Sequence, residues 1–278
     1  MVKMGTVWDR TAEFLSDNLA AVLPIALLSF FVPASIEGNF EAAMTGAGPG
    51  LTAALYGLQF LFALVSVWGT LAITVMALDI ASRHSAASIA TRRFLPVLAV
   101  SLLLFVAACL LALPIPVLLA ASGYDMAAIA RSDATVSISA QTAWLIAGYV
   151  LVLLVLFFWL AARLSVVTPV LVRENRFLSA IGQSWALTRG AALRIVGVIL
   201  LLAIVAGVAM LAAQLVFGSI FALFAGRDGD GVTLATVMTS IVVAAVQSIF
   251  AVVLPAFTAK LYLALTAKAD FRHGEAAA

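Results

Sequence analysis

Six stretches of this chain are apolar for about twenty residues or more: 18–36, 51–78, 94–121, 142–162, 191–224 and 232–259. A helix crosses the hydrocarbon of a bilayer with about 20 mostly apolar residues. So many segments of that kind leave little chain for anything else. Composition agrees: 65% of the 278 residues are hydrophobic and 10% charged, against about 45–50% and 25% in soluble domains. A soluble globular fold, a disordered chain and a disulfide scaffold are excluded. Barrel strands run about ten residues with period two, and nothing here alternates that way. The expected fold is all-α: a polytopic membrane protein, residues 1–278 forming one transmembrane domain of six helices.

Several segments exceed a vertical crossing. The run Ala191–Phe224, at about 1.5 Å per residue, reaches roughly 50 Å, against a core of about 30 Å. Such helices tilt, kink or project. Pro114 and Pro116 in the third segment and Pro255 in the sixth are expected kink points, because each removes a backbone donor. Lys3 and Arg10 before the first segment suggest a signal peptide, but Asp9, Glu13 and Asp17 lie in the same stretch. Such a long acidic lead is unlike a cleaved leader, so the first segment is expected to be retained.

Charge sets orientation. With six spans, both termini share one side, and of the 15 Lys and Arg residues only Arg131 and Arg227 fall on the other. Basic residues stay on the cytoplasmic side, so both termini are expected inside a bacterial cytoplasmic membrane. The net charge of +2 offers nothing to nucleic acid. Before the outward spans, amphipathic stretches at 6–17, 85–93 and 176–189 are expected to lie as short interfacial helices. The chain then reads as three helical-hairpin units, roughly 1–79, 80–163 and 164–268.

The stretch from Ala161 to Arg194 carries the most chemistry. Arg163 sits at the end of the fourth span with uncharged residues, Leu164–Val172, beyond it. A charge at that depth either binds an anionic headgroup, pairs with Glu174 or Asp79, or snorkels to the interface. Thr168-Pro169 is expected to bend or end the helix, since the residue before proline avoids helical angles. Arg173, Glu174 and Arg176 form a charged turn. Ser184, Trp185 and Thr188 are expected on one helical face, closed by Arg189 and a C-capping Gly190. The functional reading is a headgroup or partner site; the structural reading is an interfacial anchor. Elsewhere, Asp79 and Arg83 have the spacing of an intrahelical pair, and Lys260 is expected to snorkel. The deep polar residues Gln59, Ser66, Thr70, Thr74, Ser101, Gln214, Gln247 and Ser248 read as packing contacts. Gly46–Gly50 reads as a turn, since it lacks the Gly-Lys-Ser/Thr ending of a phosphate loop.

No catalytic constellation is visible. Cys109 is the single cysteine, so no intramolecular disulfide or thiolate metal site can form. His84 and His273 have no carboxylates at metal-ligand spacing. No cofactor is expected.

Arg163, Leu164, Ser165, Pro169, Glu174, Ala180, Ser184, Trp185, Leu187, Thr188 and Gly190 together resemble a pattern in the membrane domain of bacterial glycerophosphoryl diester phosphodiesterases and in related YciC-like inner-membrane proteins. The motif covers about thirty residues; the six-span layout extends it loosely to the whole chain. Those phosphodiesterases carry a soluble barrel with a metal-bound carboxylate and histidine site, and this sequence contains no such domain. The resemblance therefore implies a membrane module without that activity. The expected function is non-enzymatic: interaction at the inner leaflet with anionic membrane lipids, a partner protein or a second copy of the chain. Its candidate residues are Arg163, Ser165, Pro169, Arg173, Glu174, Ser184, Trp185, Thr188 and Arg189. The alternative is a small transporter or its membrane subunit, which would show a water-accessible cavity reaching Gln59, Gln214 or Gln247.

Overall fold

A computed structural model of the protein describes residues 3–44, 47–79, 86–126, 129, 139–174, 179–225 and 232–277. Helix α1 covers Met4–Asp17. The first span follows as α2 (Leu19–Ala26), one π turn (Leu27–Phe31) and α3 (Val32–Glu37), with a short α4 (Phe40–Met44) after it. The second span is α5 (Pro49–Ala77), and the third is α6 (Ala86–Ala112) followed by α7 (Pro114–Ala121). The fourth span is α8 (Ala140–Leu164), followed by α9 (Val167–Glu174) and α10 (Ser179–Leu187). The fifth is α11 (Ala192–Ala225), and the sixth is α12 (Leu234–Ala277). Six helical segments are long and apolar enough to cross a membrane, as the sequence predicts, and no strand occurs among the described residues.

The core sits at one end of the bundle. Leu71, Ala72, Ile73, Val75 and Ala77 are wholly enclosed, whereas Leu51, Tyr56 and Phe60 at the other end of the same helix are exposed. Val166, Val167, Val170, Leu171 and Val172 join that core with Phe257, Leu261 and Tyr262. The apolar run after Arg163 is thus neither span nor loop. It is a short helix, α9, wedged beneath the second, third and sixth spans. The second span is central, with 44% of its most apolar window buried, against 6% for the third, fourth and fifth. Apolar side chains of those outer spans face away from the protein, where in a bilayer they meet lipid tails.

Backbone breaks decide how the spans join. Pro33 has no N–H, so the carbonyl of Ser29, four residues earlier, loses its helical donor. The chain answers with a π turn, in which the Val32 N–H reaches Leu27 O. Ser66 Oγ of the second span donates to the released Ser29 carbonyl at 2.9 Å. In hydrocarbon no water can do this, so a neighbouring helix must. The third span breaks at Leu113, before Pro114. There Tyr149 Oη of the fourth span donates to Leu111 O at 2.6 Å. Small residues let these helices close up: a Cβ on Gly69 would overlap the side chain of Ser29, and one on Gly38 would lie 2.7 Å from Ser240 Cβ.

Two expectations are revised. The amphipathic stretch 85–93 is not a separate interfacial helix: the described part, from Ala86, runs unbroken into the third span as α6. Pro96 removes only one hydrogen bond there, and Ala86 and Ala90 are buried against the bundle. Nor do the three expected helical-hairpin units pack alike. The first and second pack together, as do the fifth and sixth. The third instead packs on the second and the fourth on the fifth, and the middle pair meets chiefly where α7 touches α8. The stretch 6–17 does form a helix, α1. Its stripe of Val7, Thr11 and Phe14 is buried, and it packs on the sixth span, with Trp8 against Phe257 at 6.0 Å.

Candidate functional site

The fourth span ends one residue beyond Arg163, at Leu164, five residues before Pro169. A proline in the first turn of α9 cannot donate to the Ser165 carbonyl, so the helix stops ahead of it, as the Thr-Pro pair predicts. The break leaves carbonyls of the last turn without donors. Ser184 Oγ of α10 donates to Arg163 O at 2.7 Å, and Thr188 Oγ1 approaches the same oxygen at 3.4 Å. Ser165 Oγ turns back to Ala162 O at 2.9 Å. Ser184 and Thr188 are both fully buried. These hydroxyls hold α10 against the end of the fourth span, and their position leaves nothing to offer a ligand.

The guanidinium of Arg163 completes the clasp in the reverse direction. Its Nη1 donates to Trp185 O at 3.3 Å. The group lies 5.5 Å from the ring centre of Trp159 and 5.1 Å from that of Trp185. The two indoles meet edge to face at 4.9 Å. A cation over an indole face gains about 0.5–1 kcal/mol at an exposed site and more when desolvated. Trp159 was not singled out from sequence, although its spacing of four from Arg163 places both on one helix face. Ser184, Trp185 and Thr188 were expected on one face; the structure splits them, with Trp185 turned outward to Arg163 while the two hydroxyls point in.

Arg163 takes neither carboxylate that the sequence offered it. Glu174 accepts from Gln183 Nε2 and, at 2.9 Å, from the hydroxyl of Tyr262, which ties α9, α10 and the sixth span together. Asp79, in the left-handed backbone region at φ 52°, receives Lys260 at 3.3 Å. Lys260 does not snorkel freely: its side chain is 11% exposed and lies over the ring of Phe14 at 4.9 Å. Arg83, His84 and Arg176 lie outside the described residues, so the Asp79–Arg83 pair and the Arg176 part of the charged turn do too. Arg163 Nε is buried without a hydrogen-bond partner. Arg173 and Arg189 are exposed at the same end of the bundle.

Gly190 closes α10 with φ +87°, the left-handed C-cap expected from sequence. A Cβ there would meet nothing within 4 Å, so only backbone strain opposes substitution. Gly190→Ala is expected to cost about 1–2 kcal/mol, the left-handed penalty for an L-residue. Gly182→Ala, inside α10 and in open space, is expected to cost nothing. Thermal unfolding of both variants in detergent micelles checks this.

Among the described residues no three His, Cys, Asp or Glu side chains gather as a metal site would require. A family model described as the membrane domain of glycerophosphoryl diester phosphodiesterase matches residues 134–277. The match takes in the fourth, fifth and sixth spans and the whole Arg163 clasp. No curated relative and no solved structure matches the chain at a significant level.

Proposed function

The chain belongs to the family of the membrane domain of glycerophosphoryl diester phosphodiesterase, and from that premise we propose that it is a non-enzymatic module that holds anionic lipid headgroups at the inner leaflet. The multi-pass membrane architecture comes from the six apolar helices. The orientation, with both termini in the cytoplasm of a bacterial cell, rests on the distribution of Lys and Arg. On that orientation the buried, Arg163-bearing end of the bundle faces the inner leaflet.

One observation carries the reading. Arg163 is a guanidinium at the end of a span, gripped by two indoles and a backbone carbonyl, with no carboxylate against it among the described residues. An Arg at the membrane edge without an internal counter-charge draws its neutralisation from outside. A phosphodiester suits a guanidinium's planar donors. Arg173 and Arg189 extend the field. Ser184, Thr188, Ser165 and Pro169 position these groups, and Glu174 fixes α9 and α10 beneath them.

The test is retention of phosphatidylglycerol by the full chain, read by native mass spectrometry after gentle detergent extraction. Each basic residue near an anionic surface contributes about 1 kcal/mol, so Arg163→Ala is expected to lower retention roughly fivefold. Arg163→Ala with Arg173→Ala should lower it further, and Arg163→Lys should fall between. Unchanged retention in the double variant overturns the reading. A stoichiometric second protein in the same spectra would make the arginine end a docking face instead.

A second reading has its own support. A cleft reaches Gln214 and Gln247, though not Gln59. That favours a transport subunit over a purely structural bundle.

A further inference from the structure

The cleft lies at the end of the bundle opposite the arginines. It measures about 990 Å³ and is walled by the end of the first span and by the fifth and sixth. That is the size range of small-molecule sites. It opens where the spans splay apart, beyond the compact core.

Its chemistry is one-sided. Glu37, Gln214, Gln247, Ser219 and Thr239 line it, and among the described residues no Lys, Arg or His does. Ser219 spends its proton on Val216 O at 2.9 Å, and Thr239 on Ala235 O at 2.8 Å. Each hydroxyl therefore turns only lone pairs toward the space. Glu37 adds a carboxylate, and the two glutamines add carbonyl oxygens beside their N–H groups. The wall is rich in acceptors and carries a negative charge.

The depth of the glutamines matters. Gln214 is ten residues from the end of its span at Phe224, about 15 Å along the helix. Gln247 is thirteen residues from Leu234, about 20 Å along. Carboxamides at that depth are costly against lipid tails unless something polar meets them. Both are exposed to the cleft side rather than packed in the core, which departs from the packing role expected of them.

We infer that this cleft binds a small polar molecule through its ammonium group, with Glu37 as the counter-charge and Gln214 and Gln247 holding its hydrogen-bonding remainder. The ammonium comes either from a free amine on the outer side or from an ethanolamine-type lipid headgroup of the outer leaflet. The site is independent of the Arg163 clasp, which lies at the other end of the bundle and takes the opposite charge.

The experiment uses the full chain in nanodiscs of phosphatidylglycerol alone, which supplies no amine. Radiolabelled ethanolamine and choline are the free probes, by equilibrium dialysis. Phosphatidylethanolamine, added to a second set of discs, is the lipid probe, by native mass spectrometry. Saturable uptake of either probe, weakened tenfold or more in Glu37→Gln and restored in Glu37→Asp, is the expected result. Gln247→Leu should weaken it severalfold. Uptake of the free amines assigns the site to a soluble ligand; retention of phosphatidylethanolamine alone assigns it to the headgroup. Failure of both probes to bind the folded, monodisperse wild-type chain overturns the inference, as does uptake indifferent to Glu37→Gln. A dimer that Gln247→Leu dissociates overturns it too, because the glutamines would then serve a contact between copies.

Discussion

Gly69→Ala is expected to loosen the first span from the second and to cost about 2–3 kcal/mol, within the range for forcing extra atoms into a packed contact. The added carbon would occupy the space of the Ser29 side chain, with the ring of Phe30 3.3 Å away. Ser29 cannot yield easily, because its residue is 99% enclosed within the π turn. As the helices separate, Ser66 also loses the Ser29 carbonyl, and hydrogen bonds between membrane helices contribute about 0.6 kcal/mol each on average. Gly57→Ala is the control. It lies on the same helix with nothing within 4 Å, so it is expected to leave stability unchanged or raise it by up to about 1 kcal/mol through helix propensity. Unfolding of both variants in mixed micelles separates close approach from general intolerance of substitution. Equal losses at the two positions would refute the close-approach account.

The second large effect is expected at Glu174. Glu174→Ala removes a charged acceptor shared by Tyr262 and Gln183. Tyr262 is 2% exposed, so its hydroxyl has no water to turn to. A hydrogen bond to a charged group contributes about 1.5–3 kcal/mol, so a loss of about 3–5 kcal/mol is expected. Glu174→Gln keeps an acceptor oxygen and should cost less than half of that. The informative comparison is Glu174→Ala made in a Tyr262→Phe background. With the hydroxyl-to-carboxylate bond already absent, the penalty should shrink by about 1–2 kcal/mol, a coupling typical of residues in direct contact. Strict additivity would mean that Tyr262 and Glu174 do not depend on each other.

These two sites show where sequence is legible and where it is not. The spans can be read because each signal is local: hydropathy over about twenty residues needs no knowledge of neighbours. The break after the fourth span is equally local, since Pro169 dictates it through the carbonyl four residues earlier. The Gly190 cap is local as well, and so is the Trp159–Arg163 spacing, which was there to be found. Tyr262, one of the partners of Glu174, is 88 residues away in the chain, and Lys260, the partner of Asp79, is 181 away. No periodicity reports such a pairing. The π turn is intermediate. Pro33 announces a missing donor, but the outcome depends on Ser66 of another helix. The stretch 85–93 misleads for a related reason. An amphipathic pattern says which face is apolar, and it is silent on whether the helix stops or continues into the membrane. The glutamines of the cleft look like interhelical glue from sequence, because only three-dimensional packing shows that they face an open space between the spans.

The sixth span has one further consequence. It is 44 residues long, about 66 Å at 1.5 Å per residue, roughly twice the hydrocarbon thickness. Thr239 and Gln247 of the cleft lie on its N-terminal arm; Lys260 and Tyr262, which hold Asp79 and Glu174, lie on its C-terminal arm. The single joint between them is Pro255, which lacks a backbone donor. A rod anchored at both ends has one axis, so a ligand that tilts the upper arm must either bend the rod at Pro255 or shift the lower arm. The two ends of the bundle are therefore mechanically in series through this one helix.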